Sequence, residues 1–287
     1  MKVGLSSPDK LLFPDAGFTK GDLAAYYERV APALLEHVAH RPLTLGRFPE
    51  GIERYGWYQT NCRGHPSWVE TRRVGTQDYC VLEDVAGLRW AANLGAIELH
   101  PLLALADEPD RPLVLVLDLD PGRGADIVDC CRVAVRAREL LAELGFDAFA
   151  KTSGGAGMHV YAPLEEPLTY AETKPLAREL ARRLAREDPA RVTDRMSRAE
   201  RPGKVFVDWN QNDATKSLAA AYTLRAVFTA PTVSTPLTWD EVEHADRSQL
   251  AFGPEDAIAR LEEAGDLFAP CARRLSAGRR PAAGRRS

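Results

Sequence analysis

The stretch LVLVLDLDPG, from Leu113 to Gly122, decides how this sequence is interpreted. Its first part is apolar throughout, which is typical of a strand buried on both faces. Asp118 and Asp120 end it, just before a Pro-Gly turn. Because these two residues are two apart on a strand, their side chains leave the same face, while Leu119 points to the other. The sequence therefore predicts a buried strand that carries two carboxylates at its end.

Two carboxylates so close together repel each other, and each raises the pKa of the other unless a cation lies between them. Burying them without a partner costs free energy. A hard divalent cation such as Mg²⁺ or Mn²⁺, which prefers carboxylate oxygen, resolves the conflict. The alternative is that the pair caps the next helix or faces solvent, and so short a pattern leaves both interpretations open.

A third acid follows another apolar strand, in KVFVDWNQN, residues 204–212. Strand alternation places Phe206 and Asp208 on one face and the two valines on the other. Three aspartates at strand ends suit a two-metal site for in-line phosphoryl transfer. A role in the turn is the alternative for Asp208.

The segment KTSGGAGMHVYAPL, residues 151–164, predicts a strand, a glycine-rich turn and a returning antiparallel strand. The turn after Ser153 exposes backbone N–H groups that can bind an anion. His159 suits a phosphate contact or proton transfer, although a histidine among apolar residues is also a common structural hydrogen bonder. The turn lacks the GK[ST] of a Walker sequence.

The composition is that of an ordinary soluble protein of 287 residues with a formal net charge of −4. No apolar run is long enough to span a bilayer and no secretory core is present, so we expect a cytoplasmic protein. The five cysteines form no CxxC pair, which argues against a disulfide framework and a zinc site. The negative charge does not exclude nucleic acid, because a local basic groove is sufficient.

The pattern along the chain predicts an α+β fold with a mostly antiparallel or mixed sheet flanked by helices, and an N-terminal α/β portion. Helical spacing runs through 88–100, and Pro32 suggests a kink or break in the first helix. Asp126 and the Thr238/Glu241 capping box mark helix starts. We expect one domain over 1–270 and a disordered, Arg-rich tail over 271–287 that either contacts a polyanion or only aids solubility.

Taken in order, VLDLDPG, KTSGGAGMHVYAPL and RPGKVFVDWNQN resemble the three motifs of the archaeo-eukaryotic primase superfamily. More closely, the chain resembles the polymerase domain of bacterial DNA ligase D and its stand-alone relatives. Further matches are LSSPDKLLFPDAGFTKGDLAAYY, NLGAIELH, SLAAAYTLRA and VSTPLTWDEVE, so that the resemblance covers about residues 5–268.

The resemblance implies a primase-polymerase fold and a nucleotidyltransferase that extends primer 3′-OH ends, often with ribonucleotides, in gap filling or end joining. It implies two Mn²⁺ or Mg²⁺ ions and DNA primer-template, gapped or broken ends, with NTP or dNTP as substrate. A separate DNA ligase and a Ku-like end-binding protein are the implied partners, near the nucleoid and away from any membrane.

The same resemblance assigns residues to these roles. The metal ligands and catalytic residues would be Asp118, Asp120 and Asp208. The nucleotide contacts would be Ser153, His159, His100, Arg225 and Lys216. The DNA contacts would be Lys10 and Lys20 at a downstream 5′-phosphate, with Arg47, Trp57 and Tyr58 at template bases. For the DNA set the alternatives stay open: solvated loop charges for the lysines and core positions for the aromatics.

Two positions depart from the family pattern. Ala156 stands where related hairpins often carry a lysine, and Thr60 stands where a lysine follows the aromatic pair. The chain also has no ligase signature KxDG.

Two other functions are alternatives to polymerase activity. One is a non-catalytic module that binds DNA ends or 5′-phosphates. The other is a haloacid-dehalogenase-type phosphatase, which also has a strand-end DxD but places it near the N-terminus and without a following Pro-Gly.

Overall fold

The computed structural model describes residues 3–166, 168–269 and 271, except for the side chains of residues 247 and 248. This part of the chain is α+β, as the sequence predicted. Its helices are α1 (Lys20–Val38), α2 (Val85–Asn93), α3 (Ile127–Glu143), α4 (Tyr170–Glu187), α5 (Trp239–Glu243) and α6 (Pro254–Ala264). Its strands are β1 (Leu11–Phe13), β2 (Phe18–Thr19), β3 (Leu43–Arg47), β4 (Trp57–Gln59), β5 (Glu70–Val74), β6 (Gln77–Val81), β7 (Ala96–Pro101), β8 (Val114–Pro121), β9 (Phe149–Thr152), β10 (Met158–Pro163), β11 (Val192–Thr193), β12 (Val205–Asp208), β13 (Leu224–Arg225), β14 (Thr232–Val233) and β15 (Pro236–Leu237).

The largest sheet has the strand order β11-β12-β8-β10-β9-β15. Only the pair β11 and β12 is parallel; the other neighbours are antiparallel. Leu117 and Leu119 of β8 are buried in the same apolar cluster as residues of α3 and α4. The prediction of a mixed, mostly antiparallel sheet covered by helices is therefore confirmed.

The N-terminal portion is a second sheet of order β4-β3-β6-β5, with β7 also paired to β3. Helices α1 and α2 pack against each other beside it. The segment before β13 joins this sheet to the rest of the chain: Ala220 N donates to Leu99 O at 2.9 Å, and Leu99 N donates to Thr223 Oγ1 at 2.8 Å. Strand β7 is thus hydrogen-bonded on both sides, which fixes its position between the two halves.

Helix starts follow the sequence signals. Asp126 is the N-cap of α3 and accepts hydrogen bonds from Val128 N and Asp129 N, and Thr238 forms the predicted capping box with Glu241. The break suggested at Pro32 does not occur, because α1 continues to Val38. A proline inside a helix costs about 3 kcal/mol, and burying a single large apolar side chain offsets most of that. Several such side chains of α1 are buried.

The helix predicted across 88–100 was wrong in its second half. Helix α2 ends at Asn93, and residues 96–101 form the fully buried strand β7. Gly95 separates the two with φ of +67°, and a Cβ there would lie 2.8 Å from Pro49 Cα. The helical spacing of apolar residues cannot show this, because a fully buried strand is apolar on both faces.

The prediction that the cysteines form no disulfide framework has one exception, since Cys62 and Cys80 are disulfide-bonded. The loop before β5 is held beside β6 by a hydrogen bond from Cys62 N to Asp78 O, and the two Cα atoms lie 5.0 Å apart. This proximity arises because the loop packs onto β6 in the folded chain, and the spacing of the cysteines in the sequence cannot reveal it. Cys130 and Cys131 are buried in the core without a disulfide.

None of the helices in the described residues has the length and apolar character needed to cross a membrane. The predicted disordered tail over 271–287 lies, apart from Cys271, outside the described residues.

Candidate active site

The strand register brings the predicted carboxylates to one place. In the antiparallel pair of β12 and β8, Asp208 lies directly opposite Asp118, and Phe206 lies opposite Asp120. Asp118 is buried, Asp208 is partly buried and Asp120 is exposed. The three carboxylates therefore line one sheet face, from a buried inner end to an open outer end.

An amide not singled out in the sequence lies between two of these acids. Gln211, in the turn after β12, donates its Nε2 to Asp208 Oδ2 at 2.9 Å and to Asp118 Oδ2 at 3.3 Å. Asp208 Oδ1 also accepts from Asn210 N at 3.0 Å. The next residue, Asn212, holds the strand itself by two hydrogen bonds to the backbone of Val116. The turn that follows Asp208 thus orders both strand ends.

The electrostatics of the cluster favour a bound cation. Burial, then the charges of Asp120 and Asp208, raise the pKa of Asp118 well above its usual range. Burial and the charge of Asp208 also raise the pKa of Asp120. Lys151 and Arg225 oppose the shift of Asp118, and Arg201 and Arg225 oppose that of Asp120, without cancelling them. A cation between the acids would relieve their mutual repulsion.

The ligand geometry is not preformed. Among the residues that the structure describes, no three His, Cys, Asp or Glu side chains are already arranged to hold one metal ion. Because Asp118 and Asp208 are direct cross-strand partners, side-chain rotation can bring their carboxylates together without a backbone change.

The β9–β10 turn lies against the acid-bearing strand and depends on two glycines. Gly154 has φ of +70°, and a Cβ there would lie 2.6 Å from Arg225 Cγ. A Cβ on Gly157 would lie 2.2 Å from Leu119 O. Ser153 Oγ accepts from Gly155 N at 3.1 Å, and Ser153 O accepts from Arg225 Nη1 at 2.5 Å. The turn is therefore ordered and carries a guanidinium at its base.

His159 lies directly opposite Asp118 on β10, and its Nε2 lies 3.4 Å from Asp118 Oδ1. Its Nδ1 is buried and has no hydrogen-bond partner. Burial, and then the positive charge of Lys151, lower its pKa well below the usual value. A neutral imidazole with one unsatisfied nitrogen is a group prepared to accept or donate a hydrogen bond to a ligand.

Lys151, which sequence reasoning did not select, is fully buried on β9. Its Nζ donates to Ser234 Oγ at 2.5 Å and lies 5.7 Å from the centre of the Tyr161 ring. Burial lowers the pKa of this lysine, while the carboxylate of Asp118 opposes the shift. A fully buried lysine beside an acid cluster is rare, which marks the position as part of the site.

The remaining predicted nucleotide residues differ in placement. His100 is buried on β7 and bonds Glu98, and Arg225 on β13 reaches both Ser153 and Glu98. Lys216 is exposed, and within the described residues its side chain has no hydrogen bond or ion pair to the acids. Arg225 thus acts on the acid cluster, His100 is linked to Arg225 through Glu98, and in the described part of the chain the Lys216 side chain bonds with none of them.

The two predicted phosphate-binding lysines lie together at the N-terminal edge. Lys10 Nζ donates to Glu50 Oε1 at 2.8 Å and to Pro49 O at 3.1 Å, while Lys20 Nζ donates to Ser6 O at 2.7 Å. Burial, then the neighbouring charge of Lys10, lower the pKa of Lys20.

The predicted template contacts are also adjacent to one another. Arg47 lies 5.0 Å above the centre of the Trp57 ring and donates to Gln59 Oε1 at 2.6 Å. Tyr55 stacks on Trp57 with ring centres 6.2 Å apart. Tyr55 and Trp57 beside the guanidinium of Arg47 form a surface on which bases can stack. Tyr58 is 56 % exposed, so it is not a core residue, and it lies on the opposite face of β4.

A cleft of about 400 Å³ lies against the glycine-rich turn, between residues 121–127 and residues 154–156. Phe228 and Thr232 line its far side. The three carboxylates do not line it, although it begins directly after Asp120. The cleft therefore adjoins the exposed end of the acid-bearing strand.

A sequence model of the LigD primase-polymerase domain matches residues 19–268. The chain is 37 % identical over 276 residues to the multifunctional non-homologous end joining protein LigD of Mycolicibacterium smegmatis. It is 33 % identical over 307 residues to the protein of the same description from Pseudomonas aeruginosa. The matches cover 94 % and 99 % of this chain but only 36 % and 35 % of those proteins. The chain thus spans about a third of the length of these curated relatives.

A solved structure, the polymerase domain from Mycobacterium tuberculosis ligase D in complex with DNA, is also similar. The TM-score is 0.88 at 35 % sequence identity, covering 95 % of this chain and 98 % of that one. These matches agree with the resemblance that the three motifs indicated and give no support to a dehalogenase-type phosphatase.

Proposed function

The chain belongs to the LigD primase-polymerase domain family, and from that premise we propose that it is a nucleotidyltransferase that adds nucleotides to primer 3′-OH ends of DNA during end joining. One observation carries the proposal: Asp118, Asp120 and Asp208, from two neighbouring strands, converge on one sheet face. A DNA-end-binding module without catalysis would have no need for three mutually repelling acids, one of them buried.

The donor set fits divalent ions. Carboxylate oxygens are the ligands that Mg²⁺ and Mn²⁺ prefer, and burial together with the mutual repulsion that raises the pKa values of Asp118 and Asp120 supports a cation there. We propose that Asp118, Asp120 and Asp208 hold two such ions. When bound, these ions would supply Lewis acidity at the primer 3′-oxygen and neutralise charge on the triphosphate.

The side chains around the acids supply binding and orientation. Arg225 offers positive charge, and the N–H groups of the turn other than those of Ser153 and Gly155, which bond within it, offer donors to phosphate oxygens. His159, neutral and with a free ring nitrogen, offers one further hydrogen bond. Gln211 holds two of the acids in place by its amide. Catalysis would then rest on positioning and charge compensation, as phosphoryl transfer generally does.

The proposed substrates are a gapped or broken DNA duplex and a nucleoside triphosphate, ribonucleotides being preferred over deoxyribonucleotides. Lys10 and Lys20 would contact a downstream 5′-phosphate, and Arg47, Trp57 and Tyr58 would contact template bases. A separate DNA ligase and a Ku-like end-binding protein are the proposed partners, at DNA in the cytoplasmic nucleoid.

Primer extension on a gapped duplex tests this proposal, with labelled NTP or dNTP in Mg²⁺ and in Mn²⁺. We expect extension by the unmodified protein and a loss of about a thousandfold or more in Asp118→Asn, since one of the three carboxylates that would hold the ions is removed. Binding of the same duplex, followed by fluorescence anisotropy, should persist. The exposed change Asp15→Asn is the matched control and should extend normally. Normal extension by Asp118→Asn, or DNA binding without any extension, would contradict the proposal.

A further inference from the structure

Glu98 is a buried carboxylate that the proposed reaction does not use directly. It lies on β7 and is 1 % exposed. Glutamate is almost never fully buried unless it is paired and hydrogen-bonded, so its partners indicate why it is there.

Both oxygens of Glu98 are occupied, and by groups from three separate parts of the chain. Oε2 accepts from His100 Nε2 at 2.7 Å and from Tyr58 Oη at 2.9 Å. Oε1 accepts from Ala226 N at 2.8 Å. Arg225 Nε lies 3.3 Å from Oε1, within ion-pair range although not aligned as a hydrogen bond.

These partners keep the carboxylate ionised. Burial alone would raise the pKa of Glu98, but the hydrogen bond from His100 and the positive charge of Arg225 lower it to about 2. The bond to Glu98 also fixes the imidazole of His100, because a proton on Nε2 leaves Nδ1 for another contact.

The backbone is shaped to allow this network. Gly46 of β3 faces Glu98, and a Cβ at that position would lie 2.8 Å from Glu98 Cβ and 3.3 Å from Tyr58 Cε1. The Tyr58 ring also meets the His100 ring edge to face, with centres 5.3 Å apart. Tyr58 is 56 % exposed, on the face of β4 opposite to Trp57. The charge of Arg225 acts on Asp118 and Asp120, and His100 is joined to Arg225 through Glu98.

We propose that Glu98 is a positioning residue that links the template-facing side chain Tyr58 to the nucleotide-facing side chains His100 and Arg225. Movement of Tyr58 as a base stacks on it would be transmitted through one carboxylate to the groups that grip the triphosphate. This inference rests on the proposed function and adds a coupling between template contact and nucleotide binding.

Nucleotide affinity with and without template DNA tests the coupling, measured by calorimetry in Mn²⁺ with a non-hydrolysable ribonucleotide analogue. For the unmodified protein we expect template to tighten binding. Glu98→Gln keeps the shape but removes the charge, and should weaken affinity about tenfold to a hundredfold and abolish the gain from template. In steady state the KM for nucleotide should rise more than kcat falls.

Tyr58→Phe removes only the hydroxyl from an exposed ring. It should abolish the increase in nucleotide affinity that template DNA produces. Unlike Glu98→Gln, it should leave the nucleotide affinity without template unchanged. The double variant should have nearly the same nucleotide affinity as Glu98→Gln alone, because both changes break the same link. Tyr79→Phe, a buried tyrosine on β6, is the matched control and should leave the gain intact. If Glu98→Gln does not fold, Tyr58→Phe and Glu98→Asp provide the same comparison.

A spectroscopic readout separates this inference from the proposed function. The ¹⁵N resonances of His100 should show a protonated Nε2 in the unmodified protein and change in Glu98→Gln, whether or not the protein extends primers. An unchanged His100 spectrum, or a template gain that survives in Glu98→Gln, would overturn the inference. Absence of extension by the unmodified protein would instead contradict the proposed function.

Discussion

Ala156 stands at the exposed end of the β9–β10 turn, at a position where the resemblance to the ligase D polymerase domain implies a lysine. Backbone N–H groups of the turn and Arg225 are available to bind a phosphate, but the turn itself carries no lysine or arginine side chain. We expect Ala156→Lys to lower the KM for nucleotide about threefold to tenfold, since an ammonium–phosphate hydrogen bond is stronger than a neutral one. Single-nucleotide incorporation kinetics measure the change.

The control for this substitution is Ala190→Lys, which adds the same charge at another exposed position, between α4 and β11. It should leave the KM for nucleotide unchanged. Equal effects of both lysines would show that added net charge, rather than a contact at the turn, explains the result.

Single residues were predictable where a local pattern carried the signal. Asp118 and Asp120 stood out as charges at the end of an apolar run, and Asp208 stood out for the same reason. Lys151, Glu98 and Gln211 did not, because their roles depend on partners distant in sequence, such as Ser234, Tyr58 and Asp118 respectively. The pairing of acid and histidine in ELH and the polar run after Asp208 were the signals that could have found two of them.

Glu83 connects two elements and makes their contact sensitive to pH. It precedes α2, and its Oε1 accepts from His40 N at 2.9 Å just beyond the end of α1. Burial, then the negative charge of Glu70, raise its pKa from about 4.5 to about 7. The folded state therefore holds this proton more tightly than the unfolded state does.

The resulting stabilisation is fully present below the unfolded pKa and is lost as pH rises through 7. Glu83→Gln mimics the protonated acid, so its free energy of unfolding relative to the unmodified protein should increase by about 1 kcal/mol between pH 5 and pH 8.5, after allowance for solvent screening. Urea unfolding at both pH values measures this. The exposed change Glu36→Gln on α1 should show no such trend, and an equal effect of Glu83→Gln at both pH values would contradict the shift.

At the scale of elements, the sequence predicted long amphipathic helices and their caps well, because spacing and capping residues are local. It failed where a short element is buried on all sides. Strand β7 reads as a continuation of α2, and only its pairing with β3 makes it a strand. The Cys62–Cys80 disulfide was missed for the same reason, since the loop and strand that carry the cysteines meet only in the folded chain.

At the scale of the whole molecule, the net charge of −4 does not show that acidic and basic side chains of the proposed site lie in different places. The acids collect at the end of β8 and β12, while Lys10, Lys20 and Arg47 lie on the N-terminal portion with the exposed aromatics. Such an arrangement allows a net acidic chain to bind nucleic acid locally. The order of motifs predicted this fold and its family, but the boundary of one domain near residue 270 stays a prediction.

The paired lysines on the N-terminal portion predict that the protein binds the 5′-phosphate on the downstream side of a gap. Lys10 is one-third exposed but is bound to Glu50, whereas Lys20 is almost fully buried. A 5′-phosphate would compete with Glu50 for Lys10. Extension across a gap should therefore be stimulated by a downstream 5′-phosphate, and Lys10→Gln should reduce that stimulation about tenfold, as expected for a lost charge-assisted contact.

Glu50→Gln supplies the opposite test, because it frees Lys10 from its carboxylate partner and should increase the stimulation. The same gap with a 5′-hydroxyl is the matched substrate, on which all three proteins should extend at similar rates, since the acids and the turn are unchanged. For each protein, the extension rate on the 5′-phosphate substrate is divided by the rate on the 5′-hydroxyl substrate. The salt concentration is held fixed, because salt screening weakens contacts between lysine and phosphate. If Lys10→Gln slowed extension equally on both substrates, the lysine would be supporting the fold of the N-terminal edge rather than recognising the phosphate.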